Sequence, residues 1–123
     1  MHNFKELKIW KKSRQITKEI YELTESFPSE ERFGLISQMR RAAVSVVSNI
    51  AEGSGKESKK EFIRYLETSY SSAFEVETQL ILAIDLHFIS NEKAEHALTE
   101  ITELQKMIYS FIRTIKNKEL INN

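Results

Sequence analysis

The chain has 123 residues, with 18 Lys and Arg against 18 Asp and Glu, so its formal net charge is zero, and it has no cysteine. This length fits one compact domain with a real core. The composition excludes disulfide scaffolds, thiolate metal sites and thiol nucleophiles, and the neutral balance argues against a protein that binds polyanions over its whole surface.

The opening MHNFKELKIW lacks the long apolar core of a signal peptide. No segment approaches about 18 uninterrupted apolar residues, which points to a soluble cytoplasmic protein with no membrane partner. One proline and three glycines leave few breaks and favour long helices over many short strands.

The first helix is expected at about 4–25, with Ile9, Ser13, Ile16, Ile20 and Leu23 inward. Its back carries Lys8, Lys11, Lys12, Gln15, Glu19 and Glu22. Phe27-Pro28 stops it, because a residue before proline is pushed out of the helical region. The second helix is expected at about 29–52, with Ser29 as N-cap, Glu30 and Glu31 complementing the dipole, and Gly53 as the left-handed C-cap. Ser58-Lys59-Lys60-Glu61 matches a capping box and opens a third helix over about 58–86. The fourth, over about 91–117, holds Ala94, Leu98, Ile101, Leu104, Ile108, Phe111, Ile112 and Ile115 on one face. Short links make successive helices antiparallel neighbours, so the expected fold is all-α, a single up-down-up-down four-helix bundle.

Two helices are more apolar than one core contact requires. On the second, Val44, Val47 and Ala51 widen the apolar arc to roughly 200°, where a core-facing stripe needs about 100°. On the third, Ile63, Tyr70, Phe74, Ile81 and Phe88 form a second flank. Either one monomer buries these broad faces itself, or a second copy of the chain covers them, and the second reading is preferred. Glu77 falls inside the third helix's apolar arc, where a carboxylate needs a partner, and Arg40 beside Val44 and Val47 is the expected one. Arg41 shares a separate polar face with Glu52, and Asn49 is placed to bond across helices or to the turn after Gly53.

No catalytic chemistry is legible. His2, His87 and His96 stand apart, no E-x-x-H occurs, and Ser69, Ser71 and Ser72 have no identifiable base. His87 reads as a capping or surface residue. Gly53-Ser54-Gly55-Lys56 lacks the spacing and preceding strand of a phosphate loop. No cofactor, metal or enzymatic activity is expected. Candidates for RNA or DNA contact are Lys5, Lys8, Lys11, Lys12 and Arg14 on the first helix, and Lys56, Lys59, Lys60 and Arg64 around the start of the third. The bland alternative is a solvated face balanced by Glu6, Glu19 and Glu61.

Several motifs carry a resemblance over nearly the whole chain: F-x-x-L-x-I-W, IYELT-x-x-FP, E-x-FGL-x-x-Q-x-RRAA-x-S-V, NIAEG and E-x-E-T-Q-L. The chain resembles the bacterial four-helix bundle proteins first described from open reading frames in intervening sequences of 23S ribosomal RNA genes. The accessory variability determinant proteins of diversity-generating retroelements belong to the same superfamily. The resemblance implies a homopentameric ring of antiparallel bundles and no catalytic role. The retroelement relatives bind nucleic acid through a basic surface and associate with a reverse transcriptase. That implies two partner classes here, nucleic acid or a protein such as a polymerase. Val47 stands where many relatives carry proline, which leaves a kink there open.

Overall fold

The computed structural model describes residues 3–122, with side chains through Lys118. Four α-helices account for most of it: α1 (Lys8–Thr24), α2 (Leu35–Ser54), α3 (Lys59–Asp85) and α4 (Asn91–Asn122). No strand occurs among the described residues, and none of these helices is long and apolar enough to cross a membrane.

The helices begin and end where side chains or backbone can satisfy their free polar groups. Asn3 accepts from the Lys5 amide at 3.2 Å and caps a short 3₁₀ turn, Phe4–Glu6. Leu7 is then extended, so α1 starts at Lys8 and not at the expected residue 4. After Pro28 the chain makes a second 3₁₀ turn, Ser29–Glu31. Ser29 therefore does not cap the second helix. Gly34 is non-helical, α2 begins at Leu35, and the Glu31 carboxylate accepts from the Leu35 amide at 3.2 Å. Helix α3 starts as expected, with Ser58 Oγ accepting from the Glu61 amide at 3.1 Å. Ser90 Oγ does the same for Lys93 at 3.2 Å near the start of α4, which runs beyond the expected residue 117.

One helix end differs from its expected chemistry, and another has His87 in the capping position read from the sequence. Gly53 is not a left-handed cap; it lies inside α2, which runs to Ser54. A β-carbon there would stand 2.7 Å from Tyr65 Cβ and 2.9 Å from Phe62 Cδ1, so glycine is required by the close approach of α2 to α3. The left-handed residue is His87, with φ 63°. Its amide donates to the Ile84 carbonyl at 3.0 Å and that of Phe88 to Ala83 at 2.9 Å, the paired bonds of a Schellman end. Helix α2 runs unbroken through Val47.

The helices form a square. Each lies against its two neighbours, and neither diagonal pair, α1 with α3 or α2 with α4, makes close contact among the described residues. The centre is filled by fully buried Ile20, Met39, Ile50, Leu66, Leu80, Ile101, Leu104 and Ile108. Burying each contributes about 1.5–3 kcal/mol before entropic costs. The α2–α3 seam is lined by small residues. Ser69 Oγ donates to the Val46 carbonyl at 2.8 Å, and Ser45 Oγ meets Ser72 Oγ at 2.8 Å.

Candidate functional site

The structure divides the basic residues of α1 into three environments. Lys11, Arg14 and Lys18 follow at spacings of three and four, which puts them on one stripe of the helix. With Lys5 from the preceding turn they line a surface groove of about 850 Å³ around Trp10, completed by Gln15. No carboxylate lines this groove, and none of the four cations is in an ion pair among the described residues. Trp10 is half-buried and held edge-to-face by Phe4, with ring centroids 5.1 Å apart. The Arg14 guanidinium stands 5.5 Å from the centre of the Trp10 ring.

Lys12 and Lys8 do not belong to this group. Lys12 turns to α4 and bonds Glu100 at 2.6 Å, with Glu103 at 3.5 Å, so its charge is already compensated. Lys8 lines a separate groove of about 600 Å³ between α1 and α4, together with apolar Leu7, Ile9, Met107 and Phe111 and the carboxylates Glu6 and Glu103. Lys18 was not among the sequence candidates. Its position four residues after Arg14 and seven after Lys11 was the available signal. Lys59, Lys60 and Arg64 are exposed around the start of α3, while Lys56 lies 5.3 Å from the Tyr65 ring. Glu57 and Glu61 are interspersed among them.

The α1–α4 seam carries an ionic cluster that sequence spacing alone left as isolated residues. His96 Nδ1 lies 3.0 Å from both Glu19 carboxylate oxygens, and His96 Nε2 lies 3.7 Å from Glu100. The hydrogen bond to Glu19, and then that carboxylate's charge, raise the His96 pKa above 6.5. The hydrogen bond from Lys12 lowers that of Glu100. Among the described residues no group of three or more His, Asp or Glu could hold a metal, and His2 lies outside them.

Arg40 and Glu77 do not pair within the chain. Arg40 Nε donates to Thr24 Oγ1 at 2.9 Å, its Nη2 donates to the Tyr21 carbonyl at 3.3 Å, and its guanidinium lies 4.5 Å from the Tyr21 ring. Glu77 instead accepts from Gln105 Nε2 at 2.8 Å. The reason is placement: the Arg40 side of α2 faces α1, whereas the Glu77 side of α3 faces α4. Asn49 also bonds within its own helix, donating to the Ser45 carbonyl at 2.8 Å and Ser45 Oγ at 3.1 Å. Ser45 in turn meets Ser72 of α3. Arg41 and Glu52 are both exposed, and eleven residues at about 1.5 Å rise keep them apart.

The second apolar flanks are partly covered within the bundle itself. Ile63 is buried, Val47 is half-buried, and Phe88 packs on Phe27 with centroids 5.8 Å apart. Val44, Phe74 and Ile81 remain 39%, 43% and 45% exposed. Tyr21 and Val44 open on the α1–α2 side; Phe74, Ile81 and Tyr109 open on the α3–α4 side. Phe33 is 90% exposed and overhangs a groove with Tyr21, Ile36, Arg32, Arg40 and Arg41.

A family model described as 23S rRNA-intervening sequence protein matches residues 5–110. The chain belongs to that family. A crystal structure of a protein with unknown function from the S23 ribosomal protein family of Bacteroides thetaiotaomicron VPI-5482 is similar, with 27% identity and a TM-score of 0.76. The likeness covers 85% of this chain and 97% of that one. A comparison with curated proteins finds no match. Membership thus agrees with the motif resemblance and with the all-helical fold, and the matched segment includes the Trp10 groove and both apolar flanks.

Proposed function

We propose that the protein is a non-enzymatic homo-oligomer of four-helix bundles, a pentameric ring in the cytoplasm, that binds RNA or DNA through basic faces repeated around the assembly. The observation that carries this reading is the groove in which Lys5, Lys11, Arg14 and Lys18 surround Trp10 with no carboxylate in the lining. A chain of zero net charge has here concentrated uncompensated cations at one place. Phosphates displace counterions at such a surface, and a ring presents several copies to one polynucleotide.

Assembly is supported by the two exposed apolar flanks. They lie on opposite sides of the square and are made of different residues, so copies would join head to tail, and rotations that close such contacts give rings. The α1–α2 side adds Arg32, Arg40 and Arg41 around its apolar residues, while on the α3–α4 side Glu77 accepts from Gln105 and Lys116 pairs with Glu67.

The test is a gel shift at low salt with the wild type and with Lys11→Glu, Arg14→Glu and Lys18→Glu combined. The wild type retards the nucleic acid and loses it as salt rises, and the triple variant does not bind. Absence of any wild-type binding at low salt overturns the proposal. A second reading, a scaffold engaging a polymerase or other protein without touching nucleic acid, is favoured by Phe33, whose ring is almost wholly in solvent. Pull-down with the wild type and Phe33→Ser distinguishes it; nucleic-acid binding that survives removal of every other protein counts against it.

A further inference from the structure

The cationic groove has a floor that charge alone does not need. We infer that Trp10 is a stacking platform for an unpaired base, so that the ligand of this groove is a single-stranded nucleic acid and not a duplex. This rests on the nucleic-acid reading above and adds the strand state to it. Trp10 is half-buried among charged residues on a surface helix, with its orientation set by a T-shaped contact with Phe4, ring centroids 5.1 Å apart. A ring held in this way offers an aromatic face at little entropic cost. Arg14 already lies over that ring at 5.5 Å, so the face is reachable by a planar group from solvent. Arg14 is itself exposed on a long flexible side chain. It can turn aside to a phosphate, or sandwich the base with its own planar guanidinium.

The arrangement of charge agrees with one strand. Lys11, Arg14 and Lys18 are spaced by about 4.5 and 6 Å along the helix axis, so successive cations can meet successive phosphates. A groove of about 850 Å³ is within the range of small-ligand pockets and holds nucleotide units beside the ring. Duplex bases are already stacked on one another, and among the described residues no element protrudes from this groove to enter a major groove. A tryptophan inside a basic channel is instead the arrangement by which proteins hold single strands without reading sequence.

Trp10 is the chain's single tryptophan, so its fluorescence reports this site alone. The experiment titrates the protein at low salt with a mixed-sequence single strand of about 12 nucleotides, and with the same strand annealed to its complement. Binding is followed both by Trp10 emission and by anisotropy of a dye on the oligonucleotide. The inference predicts quenching by the single strand, several-fold weaker binding of the duplex, and about tenfold weaker single-strand binding by Trp10→Leu, with partial recovery in Trp10→Phe. Leucine keeps apolar volume over the core, and circular dichroism checks that each variant is folded. Equal binding of both forms with unchanged emission and an unaffected Trp10→Leu overturns the stacking role while leaving the cationic groove as a nucleic-acid site. Absence of binding by either form overturns both readings.

Discussion

Arg40 and Glu77 sit on opposite faces of the bundle, one tied across α1 and α2, the other across α3 and α4. Thr24 holds Arg40 by accepting from Nε at 2.9 Å, and Thr24 is itself 1% exposed. Thr24→Val keeps the shape but removes that acceptor, leaving a part-buried donor short of a partner. It is expected to cost about 1–2 kcal/mol. Urea unfolding checks this, with a lower midpoint and an unchanged m-value.

Gly53 supports a contrast with Gly55. A methyl group at Gly53 would meet Tyr65 Cβ at 2.7 Å, whereas at Gly55 the nearest neighbour is the Glu52 carbonyl at an ordinary 3.6 Å. Gly53→Ala should therefore destabilise by about 1–3 kcal/mol through overpacking, despite alanine's better helix propensity. Gly55→Ala should stabilise by about 0.4–1 kcal/mol, since its backbone is already right-handed. Thermal melts of the two variants should move in opposite directions.

The four helices were legible because three- and four-residue apolar spacing survives in every one of them, and because Ser58 and Pro28 punctuate locally. The role of Gly53 was not legible. Its cause is the distance to α3, a tertiary quantity, whereas the sequence offered only a glycine after a helical run. The pairing of Lys12 is illegible for the same reason. Its stripe position looks solvated until α4 brings Glu100 to 2.6 Å. The Trp10 groove is half visible in the sequence: Lys5, Lys11 and Arg14 are candidates there, whereas Lys18 and the packing of Phe4 on Trp10 emerge only in the fold.

His87 supplies a simple stability test. It occupies the left-handed position at the end of α3, with φ 63°, where a side chain is disfavoured. His87→Gly relieves this and should stabilise by about 0.5–1 kcal/mol, part of the gain being offset by the freer unfolded chain. His87→Val should destabilise, because branching at the β-carbon worsens the same conformation. Paired chemical-denaturation curves decide both.

The α1–α4 cluster predicts opposite pH dependences on its two sides. Because the Glu19 hydrogen bond raises His96 above 6.5, its contribution is fully present below about pH 6.5 and is lost as pH rises through the raised value. Because the Lys12 hydrogen bond lowers Glu100 below 4.5, that contribution is present above about pH 4.5 and is lost as pH falls through the lowered value. His96 is largely solvated and Glu100 partly so, so the effects are small and fade with salt. An NMR titration of His96 should give a midpoint above 6.5 that Glu19→Gln brings back toward it.

The proposed head-to-tail assembly through opposite apolar faces underlies the nucleic-acid reading, and its mass is directly measurable. Light scattering coupled to size exclusion at micromolar concentration should give about five times the mass of the 14.4 kDa chain. Phe74→Asp, which places a charge on the exposed α3–α4 face, should return the monomer while leaving helicity unchanged. A wild-type protein that elutes at the mass of one chain under these conditions contradicts the account.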